Sequence, residues 1–195
     1  MSFDDPPRKL VRHFNEPGDL HELTFSCFHR KQLLISDAWR SQLARSIDRA
    51  GELQRFELIA FVFMPEHVHL LVRPLQAKPD IDKYLWAIKQ PFSRKIKSLL
   101  VQEKAPLLQE LTIRERPGKL TFRFWQEGPG CDRNLYTEKA ILGSIDYLHR
   151  NPVERTLCVR AIDWKWSSAS RYILPDEPPD PDLPKIFKLP GYYVQ

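Results

Sequence analysis

A chain of 195 residues with 42% hydrophobic content fits one domain with a substantial core, plus extensions, and its formal net charge of +5 mildly favours a polyanionic partner. Three widely separated cysteines, Cys27, Cys131 and Cys158, lack the close pairs of a zinc knuckle or a redox motif and fit reduced thiols in a cytoplasm. The acidic, proline-bearing start does not suit a signal peptide, and no stretch is long enough to span a bilayer, so a soluble cytoplasmic protein is expected.

In chain order, Met1 to Asp19 is polar and without a sustained period, and reads as an N-terminal arm over residues 1–19. A first strand follows, where Leu23, Phe25 and Cys27 alternate with Thr24, Ser26 and Phe28. Ser36 or Asp37 can cap a helix running to about Gly51, a natural stop, with Trp39, Leu43 and Ile47 as its apolar stripe. Phe56 to Phe63 is dense in aromatic and branched residues and reads as a central, buried second strand. His67 to Arg73 is the third, joined to it through Met64-Pro65-Glu66 as an antiparallel hairpin.

Residues two apart on a strand point to one face, so His67 and His69 present two imidazoles side by side. That is half of a metal site, and an amide or carboxylate oxygen completing it would suit Mn²⁺ or Mg²⁺. An isolated His-x-His is more often just a solvated strand face. Val68, Leu70 and Val72 share the opposite side, so the hairpin is expected to offer one core face and one working face.

Beyond a proline-containing loop, Asp80 to Lys104 carries Leu85, Ile88, Phe92, Ile96, Leu99 and Leu100 at helical spacing. Pro91 should kink or divide this helix. Its basic side, Lys89, Arg94, Lys95 and Lys97, is either a phosphate-contacting surface or a solvated face. Ala105 to Lys119 reads as a connection and Thr121 to Gln126 as a fourth strand, which completes the order β, α, β, β, α, β. Thr137 caps a further helix expected to end at His149 or Arg150, before Pro152, with Ile141, Ile145 and Leu148 as its core stripe. On a wheel of about 100° per residue, Tyr147 and Asn151 share one flank with the small residues Ala140 and Ser144. Trp164 and Trp166 are core plugs or a stacking surface for bases. The 174–195 tail is rich in proline and aspartate up to Pro184, extended or disordered there, and apolar enough near its end to dock.

Three stretches together resemble a known family: Met64-Pro65-Glu66-His67-Val68-His69-Leu70-Leu71-Val72, then Phe124-Trp125-Gln126, then Asp146-Tyr147-Leu148-His149-Arg150-Asn151-Pro152-Val153. They look like the single-tyrosine HUH transposases, closest to the REP-associated tyrosine transposases, and Trp166-Ser167-Ser168 adds to the likeness. The resemblance implies an α+β, ferredoxin-like βαββαβ core with an antiparallel sheet and a C-terminal extension, forming a domain over 20–173. It further implies His67 and His69 as paired metal ligands, Asn151 as the third protein ligand, Tyr147 as the nucleophile and Mg²⁺ or Mn²⁺ as cofactor. The insertion-sequence branch commonly has glutamine where this chain has Asn151.

The implied activity is cleavage and rejoining of single-stranded DNA beside a hairpin through a 5′-phosphotyrosine. A covalent ester on tyrosine retains the phosphate ester energy that hydrolysis would waste, so strands can be rejoined without ATP. Arg73, Lys89, Arg94, Lys95, Lys97, Arg123 and Arg171 are the candidate DNA contacts. Two other classes fit the same residues: a domesticated hairpin-binding protein that no longer cuts, and a water-using nuclease in which Tyr147 is structural.

Overall fold

The computed structural model describes residues 19–128, 130–189 and 191, so the expected arm lies outside the described residues except for Asp19. β1 (Leu20–Ser26) leads to α1 (Asp37–Gln54), and β2 (Phe56–Phe63) turns back as β3 (His67–Pro74). α2 (Ile81–Gln102) and α3 (Leu107–Glu110) precede a hairpin of β4 (Thr112–Arg116) and β5 (Lys119–Phe122). β6 (Cys131–Leu135), α4 (Glu138–Glu154) and α5 (Ala169–Ile173) follow.

The main sheet has the order β2-β3-β1-β6, with every neighbouring pair antiparallel. This is the ferredoxin-like βαββαβ arrangement, with α1 and α2 as its crossovers. Leu23, Phe25, Val68, Leu70 and Val72 point from the sheet into the cluster formed with Leu43 and Ile47 of α1 and the apolar stripe of α2. The opposite face is covered too. Ile141, Ile145 and Leu148 of α4 pack there on Leu20, Ile59, Val62 and Leu71. A bulge between Leu58 and Ala60 changes the alternation of β2 by one residue, so its two ends send side chains to both clusters.

Five local expectations are corrected. The fourth strand of the main sheet is β6 rather than Thr121 to Gln126. β6 is an edge strand with mostly polar side chains, so it carries little hydrophobic signal, whereas Phe124 and Trp125 are consecutive buried aromatics and cannot alternate. They are core plugs, with ring centroids 4.8 Å apart and Phe92 4.8 Å from Phe124. The stretch expected as a plain connection contains α3 and β4.

Gly51 lies inside α1, which ends instead where Arg55 turns left-handed at φ 58°. The glycine serves close packing, since a Cβ there would stand 2.9 Å from the carbonyl oxygen of Phe56. Pro91 does not divide α2, and Pro152 does not end α4; both sit inside one continuous helix. Each removes a single backbone donor, and the buried stripes of these helices outweigh that loss.

Trp166 is buried with its indole donating to Asp37 at 2.7 Å, and Trp164 donates to the Phe63 carbonyl at 3.2 Å, so both are structural. Leu174 to Pro184 has neither helix nor strand, yet Asp182 accepts from Lys165, and further on Phe187 N donates to the Leu58 carbonyl at 2.9 Å. No helix among the described residues is long and apolar enough to cross a membrane.

Candidate functional site

β3 brings the two histidines to the α4 side of the sheet, where they are only 6% exposed. The expected working face is narrow, because α4 covers the rest of that side of the sheet. The Nε2 atoms of His67 and His69 face each other at 3.0 Å. His67 Nδ1 donates to Glu66 Oε1 at 2.9 Å, which fixes its tautomer and leaves the Nε2 lone pair directed at His69. His69 Nδ1 is 2.8 Å from the Thr24 hydroxyl, its register partner on β1.

Burial pushes the His67 imidazole below its usual range despite Glu66, and burial reinforced by His67 takes His69 down to about 3. Both rings are therefore neutral near pH 7. Burial alone would raise Glu66, but Arg155 and His67 outweigh it and hold the carboxyl below its ordinary value. Two neutral Nε2 atoms this close must share either one hydrogen or one cation.

α4 supplies the other two candidates. Tyr147 is 43% exposed, and its ring stands edge-on to His69 with centroids 5.6 Å apart. Because Pro152 leaves α4 continuous, Asn151 is held one helical turn further on. Its side chain is buried, and its Oδ1 has no hydrogen-bond partner among the described residues. A buried amide oxygen without a donor is costly, and a cation would relieve it.

Among the described residues no group of three His, Cys, Asp or Glu side chains is placed to hold a metal, so any third protein donor beside His67 and His69 would be of another type. Two nitrogens each about 2.1 Å from an octahedral ion, at right angles, are about 3 Å apart. The donor set of His67, His69 and Asn151 thus fits a divalent ion that accepts mixed nitrogen and oxygen ligands.

The basic candidates separate into two sets. Lys89, Arg94, Lys97 and Arg123 line one groove of about 640 Å³ between α2 and the segment 120–128, together with the 58% exposed Trp86. Lys89 lies over the Phe25 ring at 4.9 Å, and burial takes its amine down to about 8. Lys95 is exposed on α2 outside that lining, Arg73 pairs with Glu57, and Arg171 donates to the Glu177 carbonyl beside the tail. The groove holds neither histidine, but a narrower pocket shares Lys89, Gln126 and Gly128 with it and reaches Thr24 and Cys131. Cys131 in turn borders an open trough of about 740 Å³ that includes Tyr147, Arg133 and Lys139.

Glu66, Thr24, Glu22 and Arg155 join the site without having been among its expected residues. Glu66 had a signal, since it directly precedes His67. Glu22, Thr24 and Arg155 had none, because their roles depend on strand register and on where α4 ends.

Residues 20–111 match the model of a protein family described as Transposase IS200 like; this stretch contains both histidines and stops before Tyr147 and Asn151. No curated protein matches the sequence. Among solved structures, the chain is similar to a REP-associated tyrosine transposase bound to a REP hairpin, at 20% identity and a TM-score of 0.66. That similarity covers 87% of this chain and 88% of the other, and it speaks for the fold. A crystal structure of a transposase-like protein from Deinococcus radiodurans R1 is similar at 19% identity over 76% of this chain and 97% of the other, with a TM-score of 0.43.

Proposed function

We propose that this protein, whose residues 20–111 match the model of the family described as Transposase IS200 like, is a metal-dependent transposase that cuts and rejoins single-stranded DNA beside a hairpin through Tyr147. The observation that carries the reading is the pair of facing Nε2 atoms with the Tyr147 ring against His69 and, on the next turn, the buried Asn151 oxygen that has no partner among the described residues. His67, His69 and Asn151 would hold Mg²⁺ or Mn²⁺, which when bound supplies charge stabilisation for the phosphate undergoing displacement.

The chain's own residues do the rest. Tyr147 Oη attacks the phosphorus, the bond to the 3′ oxygen breaks, and the phenolic proton ends on that leaving oxygen. The products are a 5′-phosphotyrosine and a free 3′-hydroxyl, and the reverse attack by a hydroxyl rejoins a strand. Glu66 keeps the His67 lone pair aimed inward, and Thr24 restrains the His69 ring. The partial exposure of Tyr147 leaves its hydroxyl open to a strand lying in the trough beside it.

The substrate reading follows from the surface. The groove of Lys89, Arg94, Lys97 and Arg123 offers phosphate contacts, and Trp86 offers a face for an unpaired base. The narrower pocket borders this groove at Gly128 and the Tyr147 trough at Cys131, an arrangement that supports one strand running from groove to nucleophile.

The test is incubation with labelled single-stranded hairpin DNA, taken from the flanks of the protein's own gene, with Mn²⁺ or Mg²⁺. A covalent protein–DNA band on denaturing electrophoresis is expected. Tyr147→Phe should abolish it, and Asn151→Ala should lower it at least tenfold while removing most of the rise in melting temperature that Mn²⁺ gives. Cutting that persists in Tyr147→Phe would establish the hydrolytic nuclease instead. A recognised hairpin that is bound and never cut under any metal would establish the binding protein.

A further inference from the structure

The side of α4 that meets the site is polar where its other packing side is apolar. Ser144, Tyr147, Asn151 and Arg155 recur at spacings of three, four and four residues and so line one face of the helix. The two end members are each gripped by a carboxylate from the sheet region. Ser144 Oγ donates to Glu22 Oε2 at 2.8 Å, and the same oxygen accepts from Arg133 on β6. At the other end Arg155 donates to Glu66 Oε1, the atom that also receives His67 Nδ1. Glu22 is 8% exposed and Glu66 5%.

We infer that Glu22 and Glu66 are positioning residues, two carboxylates that clamp the ends of the nucleophile-bearing face of α4 and so set Tyr147 and Asn151 against His67 and His69. The inference rests on the proposed roles of those four residues. The helix needs such a hold. Pro152 has no N–H to give to the carbonyl one turn earlier, so the turn carrying Asn151 is short of one backbone bond. Arg155 at the C-cap lies just beyond that weakness, where a cation also suits the helix dipole, and Glu66 ties it down. Glu66 acts on both sides of the site, orienting a histidine of β3 and fixing the end of α4. Glu22 does the same for β1, β6 and the turn before Tyr147.

A structural residue would change stability everywhere; a positioning residue changes the relation of α4 to the sheet. The experiment uses the full chain and the variants Glu66→Gln, Arg155→Gln, Glu22→Gln and Ser144→Ala, each checked for cooperative melting. In metal-free protein, amide hydrogen exchange is expected to rise about tenfold in 144–155 and to stay unchanged in β1, β3 and α2. Mn²⁺ affinity measured by calorimetry without DNA should fall about tenfold in Glu66→Gln and in Arg155→Gln. The double variant should be no weaker than the worse single, because both remove the same ion pair. Glu22→Gln and Ser144→Ala should slow covalent adduct formation at saturating hairpin DNA.

Wild-type exchange in 144–155 together with wild-type Mn²⁺ affinity in the folded variants would overturn the inference. So would losses that add in the double variant, or exchange that rises throughout the chain. If the wild-type protein binds its hairpin and forms no adduct, the cutting function fails, while the exchange measurement still decides whether the two carboxylates hold α4.

Discussion

His149 lies between Tyr147 and Asn151 in sequence but faces away from the histidine pair, into the core. Its Nε2 is 2.8 Å from the Ser168 hydroxyl, its ring meets Tyr172, and burial takes it down to about 4. His69 is lower still, at about 3. An unfolded histidine titrates near 6.5, so between that pH and about 4 the unfolded chain binds protons that the folded chain refuses. Stability is therefore fully present above pH 6.5 and falls as the solution is acidified through this window. The His149 contribution is on the order of 2 kcal/mol. Unfolding free energies from urea titrations in metal-free buffer should fall by at least this amount from pH 7.5 to 4.5, and a flat profile would mean that these imidazoles are solvated in the native state. The same residues show why single positions were hard to rank from sequence: His67, His69 and His149 are all buried, and only tertiary contacts separate a pair aimed at each other from one bonded to a serine.

Among the elements, helices α1, α2 and α4 were legible because their apolar stripes hold a period near 3.6, and β2 and β3 because of their dense branched and aromatic residues. β6 was not, since an edge strand can be polar on nearly every position. Its entry is set by Gly130, at φ 89°, where a Cβ would come within 2.1 Å of the Thr24 carbonyl oxygen. Gly130→Ala is expected to cost about 2–4 kcal/mol, from backbone strain and from displacement of Thr24. Because Thr24 holds His69, the variant should also weaken Mn²⁺ binding. Chemical denaturation and calorimetry check the two effects, and an unchanged unfolding midpoint would show that the loop before β6 can withdraw from β1.

At the scale of the whole molecule, the charge of +5 said only that a polyanion was a reasonable partner, whereas the fold decides which cations act together. Arg94 and Lys97 share a groove with Trp86, while Lys95, between them in sequence, does not line it. Charge reversal at Arg94 or Lys97 is expected to weaken hairpin-DNA binding and reduce the salt slope by about one for each phosphate no longer neutralised. Lys95→Glu should change both little. Titrations at several salt concentrations decide this, and equal losses at all three positions would mean that general charge, rather than the groove, captures the strand. Arg73 and Arg171 are held by Glu57 and by the Glu177 carbonyl, partners that no linear charge pattern reveals.

The βαββαβ order of the core, apart from the identity of its last strand, is legible from residue pattern, and so is the family resemblance built on His67-Val68-His69, Tyr147 and Asn151. Those features are local: a strand's two-residue period places the histidines together, and a helix's four-residue spacing places the tyrosine and the amide together. Tertiary contacts alone settle that α4 lies over the histidine face, that Pro152 is tolerated, and that Glu22, Thr24, Glu66 and Arg155 converge on the site. The reason is physical. Strand register and helix docking depend on burial summed over many distant residues, and no local spacing encodes that sum.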